Sequence, residues 1–354
     1  MKNIVRLVTA IILLELFTAC PFGYPKINYP KAYFPTEVTN LDTINSEYDD
    51  INMALPFLFS RNLLIFASNR NSSGQQFDLI QKLLTFKWDK TNGNFSINNE
   101  GFNDIKYLDY LLSQTQTTGD EYGPYSFVYN DDFYLTYSSN INGTCDVFFY
   151  YYSKPLLHRF DNVMADSIIK GPFKIPDLSS SKYNEGYISF RSNKAPYDEL
   201  NSFNNETGIS DLIFCSDSLG KMDIYSIPLS TTDLSIETLS SSFNEKKELI
   251  TKVNSNYNDR CPNVCGNFMV FSSDRPGGLG GYDFYYSIYE NGEWSEPVNF
   301  GAPINSEFDE YRAIGIKAWE YENDVLIFSS NRPGGKGGFD IYYVGIDVMP
   351  DVSW

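Results

Sequence analysis

Short apolar stretches alternate with polar residues along most of this chain. Tyr, Phe, Ile and Val dominate the apolar positions, and Asn, Asp, Gly and Pro separate the stretches. Alternation of this kind, with turn-forming residues at its borders, is typical of β-strands. No long apolar run at helical spacing follows the N-terminal region. The pattern therefore predicts an all-β fold.

One motif occurs five times in the sequence. It is clearest at residues 271–283 (FSSDRPGGLGGYD) and 328–340 (FSSNRPGGKGGFD), and weaker copies lie at 64–78, 134–146 and 212–225. The aspartates that recur in the motif are 57 to 77 residues apart, a period that suits the four-stranded blades of a β-propeller. These aspartates are Asp78, Asp146, Asp223, Asp283 and Asp340.

A second, acidic element precedes each copy, so that two strand-forming elements alternate in register. The last copy has no fourth strand of its own, and residues 33–41 resemble in position the strand that precedes the last acidic element. We therefore predict a single β-propeller over residues 33–354, with five blades of four antiparallel strands and an N-terminal strand that closes the last blade. Six blades are the alternative, if one degenerate copy escapes recognition.

The motif residues are expected to hold the blade corners together. Glycine allows the tight turns between antiparallel strands, and each aspartate can accept hydrogen bonds from the neighbouring strand. For Arg70, Arg275 and Arg332, internal ion pairs are favoured over direct contact with a ligand. We therefore interpret the five aspartates and three arginines as structural residues.

Topology places the acidic elements at one mouth of the central channel, because the first strand of each blade lines it. As a hypothesis, this acidic mouth binds a divalent cation or a basic partner segment. No cofactor, metal site or catalytic residue is predicted otherwise. The mouth consists of Asp49, Asp50, Asp120, Glu121, Glu185, Asp259, Asp309 and Glu310.

The N-terminus has the architecture of an export signal. Lys2 and Arg6 precede an apolar stretch, and the segment ending Thr18-Ala19-Cys20 resembles the bacterial lipobox, which implies that Cys20 carries a lipid. We predict a lipoprotein signal peptide at residues 1–19, a lipid-anchored linker at 20–32, and a location in the bacterial cell envelope. An ordinary secretory signal is the alternative, and the side of the membrane stays open.

Charge and composition exclude several classes of function. The net charge of -18 disfavours nucleic acid as a partner, because it repels phosphate. His158 is the only histidine, so Ser-His-Asp, Cys-His and His-metal chemistry lack support. The remaining cysteines, Cys145, Cys215, Cys261 and Cys265, permit several disulfide pairings that the sequence does not distinguish.

The motif Ser-Asn/Asp-Arg-Pro-Gly-Gly followed by Tyr/Phe-Asp resembles the TolB-like or WD-like β-propellers of bacterial envelopes. The resemblance covers nearly everything after residue 40 and is most specific in the last two copies. It implies the propeller fold and an envelope location. Because one histidine gives little support for catalysis, we predict a non-catalytic module, not an enzyme, that binds an envelope protein or a cell-wall glycan, with membrane contact through the lipid alone. The alternative is a glycan-binding or glycoside-hydrolase-type propeller that uses the carboxylates of the mouth.

Overall fold

The computed structural model describes residues 32–58, 61–89, 91, 95–99, 107–155, 164–192, 202–203, 208–317 and 321–350. The proposed signal, the linker with Cys20, and His158 lie outside these residues. Among the described residues, none of the helices has the length and apolar character needed to cross a bilayer. The described chain forms five antiparallel sheets arranged as the blades of one propeller.

Blades one and two come from the first half of the chain. Each begins with an inner strand and proceeds outward through adjacent antiparallel strands. Blade one contains β2 Asp50–Ala54, β3 Phe57–Leu58, β4 Arg61–Ser68, β5 Asp78–Trp88 and β6 Phe95–Asn98. Blade two contains β7 Glu121–Tyr129, β8 Asp132–Ser139, β9 Asp146–Tyr152 and β10 Ile169–Lys174, with β12 Ser202–Phe203 added in parallel to β7.

Blades three and four repeat this order. Blade three contains β11 Glu185–Ser192, β13 Ile209–Ser216, β14 Asp223–Pro228 and β15 Glu248–Leu249. Blade four contains β16 Asp259–Cys265, β17 Phe268–Ser273, β18 Asp283–Glu290, β19 Glu293–Trp294 and β20 Val298–Asn299. The helices α1 Leu108–Thr115, α2 Ala165–Ile168 and α3 Ile236–Leu239 lie in connections between strands.

Blade five joins the two ends of the described chain. It contains β21 Glu310–Ile316, β22 Asp324–Ser330 and β23 Asp340–Ile346, and its outer strand is β1 Thr39–Asn40. Thr39 pairs with Tyr343, and Asn40 pairs with Tyr342. The prediction of five four-stranded blades closed by an N-terminal strand is thus confirmed, and the six-bladed alternative is wrong.

The hydrophobic core lies between the blades. Along β4, Leu63 and Ile65 pack toward blade two, while Leu64 and Phe66 pack toward blade five. Because β4 lies between two neighbouring blades, its consecutive apolar residues are buried on both sides of the sheet. Five such interblade clusters complete the ring.

Candidate functional site

Each inner strand begins with a buried acid that is hydrogen-bonded within its own blade. In blade four, Asp259 accepts hydrogen bonds from Ser273 Oγ at 2.6 Å and from the backbone nitrogen of Ser255 at 2.6 Å. Arg275 completes the arrangement with an ion pair to Asp259 at 2.5 Å. The five acids at this position, each at most 2% exposed, are Asp50, Glu121, Glu185, Asp259 and Glu310.

Blades one and five contain the same constellation. Arg70 pairs with Asp50 at 2.6 Å, and Arg332 pairs with Glu310 at 2.9 Å. Each of these arginines also donates to a backbone carbonyl, and its guanidinium stacks on the phenylalanine four residues earlier. Because the guanidinium contacts three groups, it connects the loop that follows the second strand to the segment that leads into the first strand.

Blades two and three depart from this pattern, because neither has the motif arginine. In blade three, Lys247 donates to Glu185 Oε1 at 2.7 Å, and the backbone nitrogen of Ser180 donates to Oε2. In blade two, the Glu121 carboxyl accepts hydrogen bonds from the hydroxyls of Thr117 at 2.6 Å and Ser139 at 3.0 Å.

Glu121 therefore differs chemically from its four counterparts. Ile141 occupies the position of the motif arginine, and Glu121 Oε2 is buried without a hydrogen-bond partner. Burial raises the pKa of the Glu121 carboxyl to about 7, with a further upward contribution from Asp78. This carboxyl consequently keeps a proton in a pH range where an ordinary glutamate has lost it.

A second set of polar residues, one position before the buried acids, links adjacent blades. Asp309 Oδ1 accepts from the backbone nitrogen of Tyr282 in the preceding blade, and Asn331 Oδ1 accepts from the backbone nitrogen of Asp309. Asp49 and Asp120 make the corresponding contacts with Phe339 and Phe77. Within each blade, the residue before the buried acid also hydrogen-bonds to the residue that follows the second strand. One member of each pair is a carboxylate and the other is an amide: Asp49–Asn69, Asp120–Asn140, Asn184–Asp217, Asn258–Asp274 and Asp309–Asn331.

The aspartates that begin the third strands cap the loops before them. Asp283 accepts from the backbone nitrogens of Leu279 and Gly280, and Asp340 does so from Lys336 and Gly337. Asp146 instead pairs with Lys174 at 2.7 Å, and Asp223 pairs with Lys221. Burial, together with the charge of Asp120, raises the pKa of Asp78.

The glycines of the motif are needed mainly for close approach. A Cβ on Gly335 would lie 1.7 Å from Asp340 Oδ2, and one on Gly337 would lie 2.0 Å from the Tyr48 carbonyl oxygen. Of the four glycines in this copy, only Gly334 has a positive φ, of 95°. The glycines therefore allow the loop to pack closely against the neighbouring blade, in addition to making the turn.

A ring of bulges closes the central channel. The third residue of every inner strand has a positive φ, and the strand pairing shifts at that point in all five blades. Asn52 Nδ2 donates to Tyr187 Oη at 3.2 Å across the axis, and the fully buried Arg312 donates to the Pro262 carbonyl at 2.6 Å. The bulged residues are Asn52, Gly123, Tyr187, Cys261 and Arg312.

A cavity of about 450 Å³ lies on the axis beside this ring, with walls from all five blades. Five aromatic residues line it: Phe77, Tyr122, Tyr187, Tyr311 and Phe339. Its polar lining includes Asn52, Ser138, Asn184, Glu185 and Arg260. We call this cavity the axial pocket.

Three buried polar atoms in the lining of the axial pocket lack a hydrogen-bond partner. They are Asn52 Oδ1, Ser138 Oγ and Arg260 Nε. Leaving a buried polar atom unsatisfied costs on the order of 1–3 kcal/mol, so such atoms are uncommon in protein interiors. Their convergence on one aromatic cavity indicates a site that a polar ligand completes.

The predicted residues of the acidic mouth are present at the starts of the inner strands, but their side chains hold the blades together through hydrogen bonds and ion pairs. Of its eight residues, the axial pocket is lined only by Glu185. Among the described residues, no group of three or more His, Cys, Asp or Glu side chains is placed to hold a metal ion. That the mouth binds a cation or a basic segment stays a prediction.

The cysteines of the described blades are all free thiols. Cys215 and Cys261 are buried beside the axial pocket, and burial raises the pKa of the Cys215 thiol to about 12. Cys145 lines the pocket, and its pKa is raised by burial to about 11. These thiols are therefore protonated and weakly nucleophilic at neutral pH.

Comparison with known proteins finds similarity at the level of structure alone. No protein-family model and no curated protein matches the chain. An endo-arabinase from Bacteroides thetaiotaomicron VPI-5482 has the same fold, with a TM-score of 0.52, 14% identity, and coverage of 88% of this chain and 98% of that one. A thermostable family-43 glycoside hydrolase matches with a TM-score of 0.47 and 14% identity, covering 83% of this chain and 88% of that chain.

This comparison corrects two predictions from the sequence. The assignment to TolB-like or WD-like repeat proteins is wrong, because the solved propeller that shares the fold is an endo-arabinase. The prediction of a non-catalytic binding module is contradicted on the same ground. The physical reason is that the repeated motif specifies blade corners and carries no information about the axial pocket.

Proposed function

We propose that this protein is a glycoside-hydrolase-type propeller that binds a glycan in the axial pocket and hydrolyses it. The observation that carries the proposal is an aromatic cavity on the propeller axis with unsatisfied polar atoms in its wall. The fold shared with the endo-arabinase supports it. A concave apolar site with a few convergent polar groups is the usual form of a small-ligand site.

The lining of the axial pocket suits a sugar ring. Aromatic faces such as those of Tyr122 and Tyr311 can pack on the C–H face of a pyranose or furanose. Asn52 Oδ1 can accept a hydrogen bond from a sugar hydroxyl, and Ser138 Oγ can donate or accept one. Glycan binding would thereby satisfy groups that the folded protein leaves without partners.

Two glutamates on adjacent inner strands are the candidate carboxyl groups. Glycosidases pair an acid that keeps its proton with a carboxylate that does not. Glu121, whose pKa is about 7, can supply the proton, and Tyr122, the next residue of the same strand, lines the pocket. Glu185 lines the pocket directly and is the candidate catalytic carboxylate, with Lys247 positioning it.

Hydrolysis of purified glycans tests this proposal. The purified protein is incubated with arabinan, xylan, pectin and peptidoglycan-derived glycans, and new reducing ends are measured. We expect activity on at least one glycan, and a loss of about 10²-fold or more in kcat for Glu121→Gln and Glu185→Gln.

Glu310→Gln is the matched control, because Glu310 occupies the same strand position in blade five, where Arg332 pairs with its carboxylate in the blade corner. We expect this variant to be less stable but to keep its activity per folded molecule. Absence of hydrolysis on all glycans, or full activity of Glu185→Gln, would contradict the proposal.

We further propose that the chain is exported and lipid-anchored through Cys20. The support is the sequence of residues 1–20. Metabolic labelling with an alkyne fatty acid in a bacterial host tests it, with Cys20→Ser as the comparison. Labelling that persists in Cys20→Ser would contradict lipidation at this residue.

A further inference from the structure

Arg260 contributes a guanidinium group to the wall of the axial pocket. It is the second residue of β16, and its guanidinium carbon lies 4.9 Å from the Tyr311 ring centre and 5.7 Å from that of Tyr282. The corresponding residues of the other inner strands are Ile51, Tyr122, Gly186 and Tyr311. Since none of these is charged, the blade architecture does not require a cation at this position.

Arg260 differs from the arginines of the blade corners in having no acid beside it. Arg275 and Arg332 pair with Asp259 and Glu310, while Arg312 donates to backbone carbonyls. Within the described ranges, no carboxylate lies within ion-pair distance of Arg260, and its Nε is buried without a partner. Tyrosine rings attract a guanidinium, but they do not neutralise its charge.

The acids around the axial pocket are already engaged by other groups. Glu185 receives Lys247 and the backbone nitrogen of Ser180, and Asp120 receives the backbone nitrogen of Phe77 and the amide of Asn140. The guanidinium of Arg260 is therefore the uncompensated charge of the pocket. A partly buried charge without a counter-ion is costly, and an anionic ligand offsets that cost.

We propose that the axial pocket selects glycans that carry a carboxylate, with Arg260 as the counter-ion of a uronic acid residue. This inference rests on the proposed glycan site and specifies its ligand. A planar guanidinium matches the two oxygens of a carboxylate, while the aromatic rings beside it suit the sugar ring that bears the carboxylate. The pocket thus combines the two recognition elements of a uronic acid in a protein whose net charge is -18.

Sulfated sugars share the anionic chemistry, so the experiment separates the two sources. Binding to the full chain is measured by calorimetry with three matched oligosaccharides: one with uronic acid, one with the carboxyl reduced to an alcohol, and one sulfated. We expect the uronic acid form to bind about 10- to 100-fold more tightly than the reduced form, with the preference weakening as salt rises. Equal affinity for the first two, or tighter binding of the sulfated form, would overturn the carboxylate assignment.

Variants at one position assign the effect to the guanidinium. Arg260→Gln is expected to abolish the preference for the uronic acid while leaving affinity for the reduced form unchanged, and Arg260→Lys is expected to restore part of it. Lys252→Gln, which removes an exposed positive charge outside the pocket lining, is the control and should keep the full preference. Thermal unfolding verifies that each variant folds.

Binding and hydrolysis are separate readouts. If the uronic acid form binds through Arg260 but no glycan is cleaved, the proposed hydrolysis fails and the selectivity stands. If neutral glycans are cleaved and bound as well as acidic ones, the hydrolysis stands and the selectivity fails. A preference that survives in Arg260→Gln would also overturn the inference.

Discussion

Blades two and four share one architecture but secure their innermost acid in opposite ways. In blade four, Asp259 is held by Ser273, Ser255 and the guanidinium of Arg275. In blade two, Glu121 has two hydroxyl partners, an unsatisfied oxygen and a pKa of about 7. The comparison distinguishes an acid whose carboxylate holds its blade together, Asp259, from an acid that keeps one oxygen without a partner, Glu121.

The difference suggests a division of roles around the ring. Blades one, four and five have the complete arginine corner and form a rigid frame. Blade two lacks this ion pair and has instead a carboxyl whose pKa is about 7. Departures from an internal repeat are thus better guides to a functional site than the repeat itself.

The largest expected effect is loss of the arginine corner in blade four. Arg275→Ala leaves Asp259, which is fully buried, without its cation. We expect a loss of about 3–5 kcal/mol in the free energy of unfolding, measured by urea denaturation. Lys252→Ala, which breaks an exposed ion pair with Glu293, is the control and should cost under about 1 kcal/mol. Similar losses in both variants would contradict the role assigned to the corner.

The pH dependence of stability should reveal the proton on Glu121. Because its pKa is about 7 in the folded protein and near 4.5 in an unfolded chain, the folded state binds the proton more tightly. This contribution to stability is complete below about pH 4.5 and is lost as pH rises through 7, amounting to about 3 kcal/mol. Comparison of urea denaturation for wild type and Glu121→Gln at pH 5 and pH 8 isolates it, since the other acids are common to both. Equal pH slopes would show that Glu121 titrates normally.

Restoring the missing arginine should make blade two resemble blade four. In Ile141→Arg, the new guanidinium can reach the position that Arg275 occupies beside Asp259, and we expect a gain of about 2 kcal/mol at pH 8. It should also lower the pKa of Glu121 and reduce any hydrolysis. Ile141→Gln, which adds polarity without charge, is the control. A gain of the same size in Ile141→Arg combined with Glu121→Gln would show that the ion pair is not its cause.

The smallest net effect is expected for exchange of an amide and its partner acid. Blade three has Asn184 with Asp217 where blade two has Asp120 with Asn140. Asn184→Asp alone places two carboxylates together and should cost about 1 kcal/mol, while the added change Asp217→Asn should restore most of it. A double-mutant cycle by urea denaturation measures this coupling. Strictly additive losses would show that the pair acts as two independent residues.

The sequence predicted the frame because the frame is repeated. Five copies of one corner define the number of blades, and the missing strand of the last copy predicts closure by the N-terminal segment. The partners of the acids in the irregular blades, Thr117 and Lys247, lie outside the motif and were not predicted. Their contacts depend on connections that have no counterpart in the other blades.

The axial pocket could not be predicted, because its residues share no pattern. The bulges place Tyr187, Cys261 and Arg312 at positive φ, a conformation for which these residue types give little signal. Arg260 gave the one available indication, as a charged residue at a position that is uncharged in the other blades. The similarity to glycoside hydrolases came from the arrangement of blades, which 14% identity does not reveal in the sequence.

The pairing of β1 with β23 has a consequence for biosynthesis. The backbone nitrogen of Phe34 donates a hydrogen bond to Asn323 Oδ1, which lies 289 residues later in the chain, and Thr39 of β1 pairs with Tyr343 of β23. Nearly the entire chain must therefore be synthesised before the propeller can close. Until then, the edge of β23 and the apolar face around Ile341 lack their cover, so the nascent protein passes through an interval in which a chaperone, or a second unfinished chain, can reach that edge.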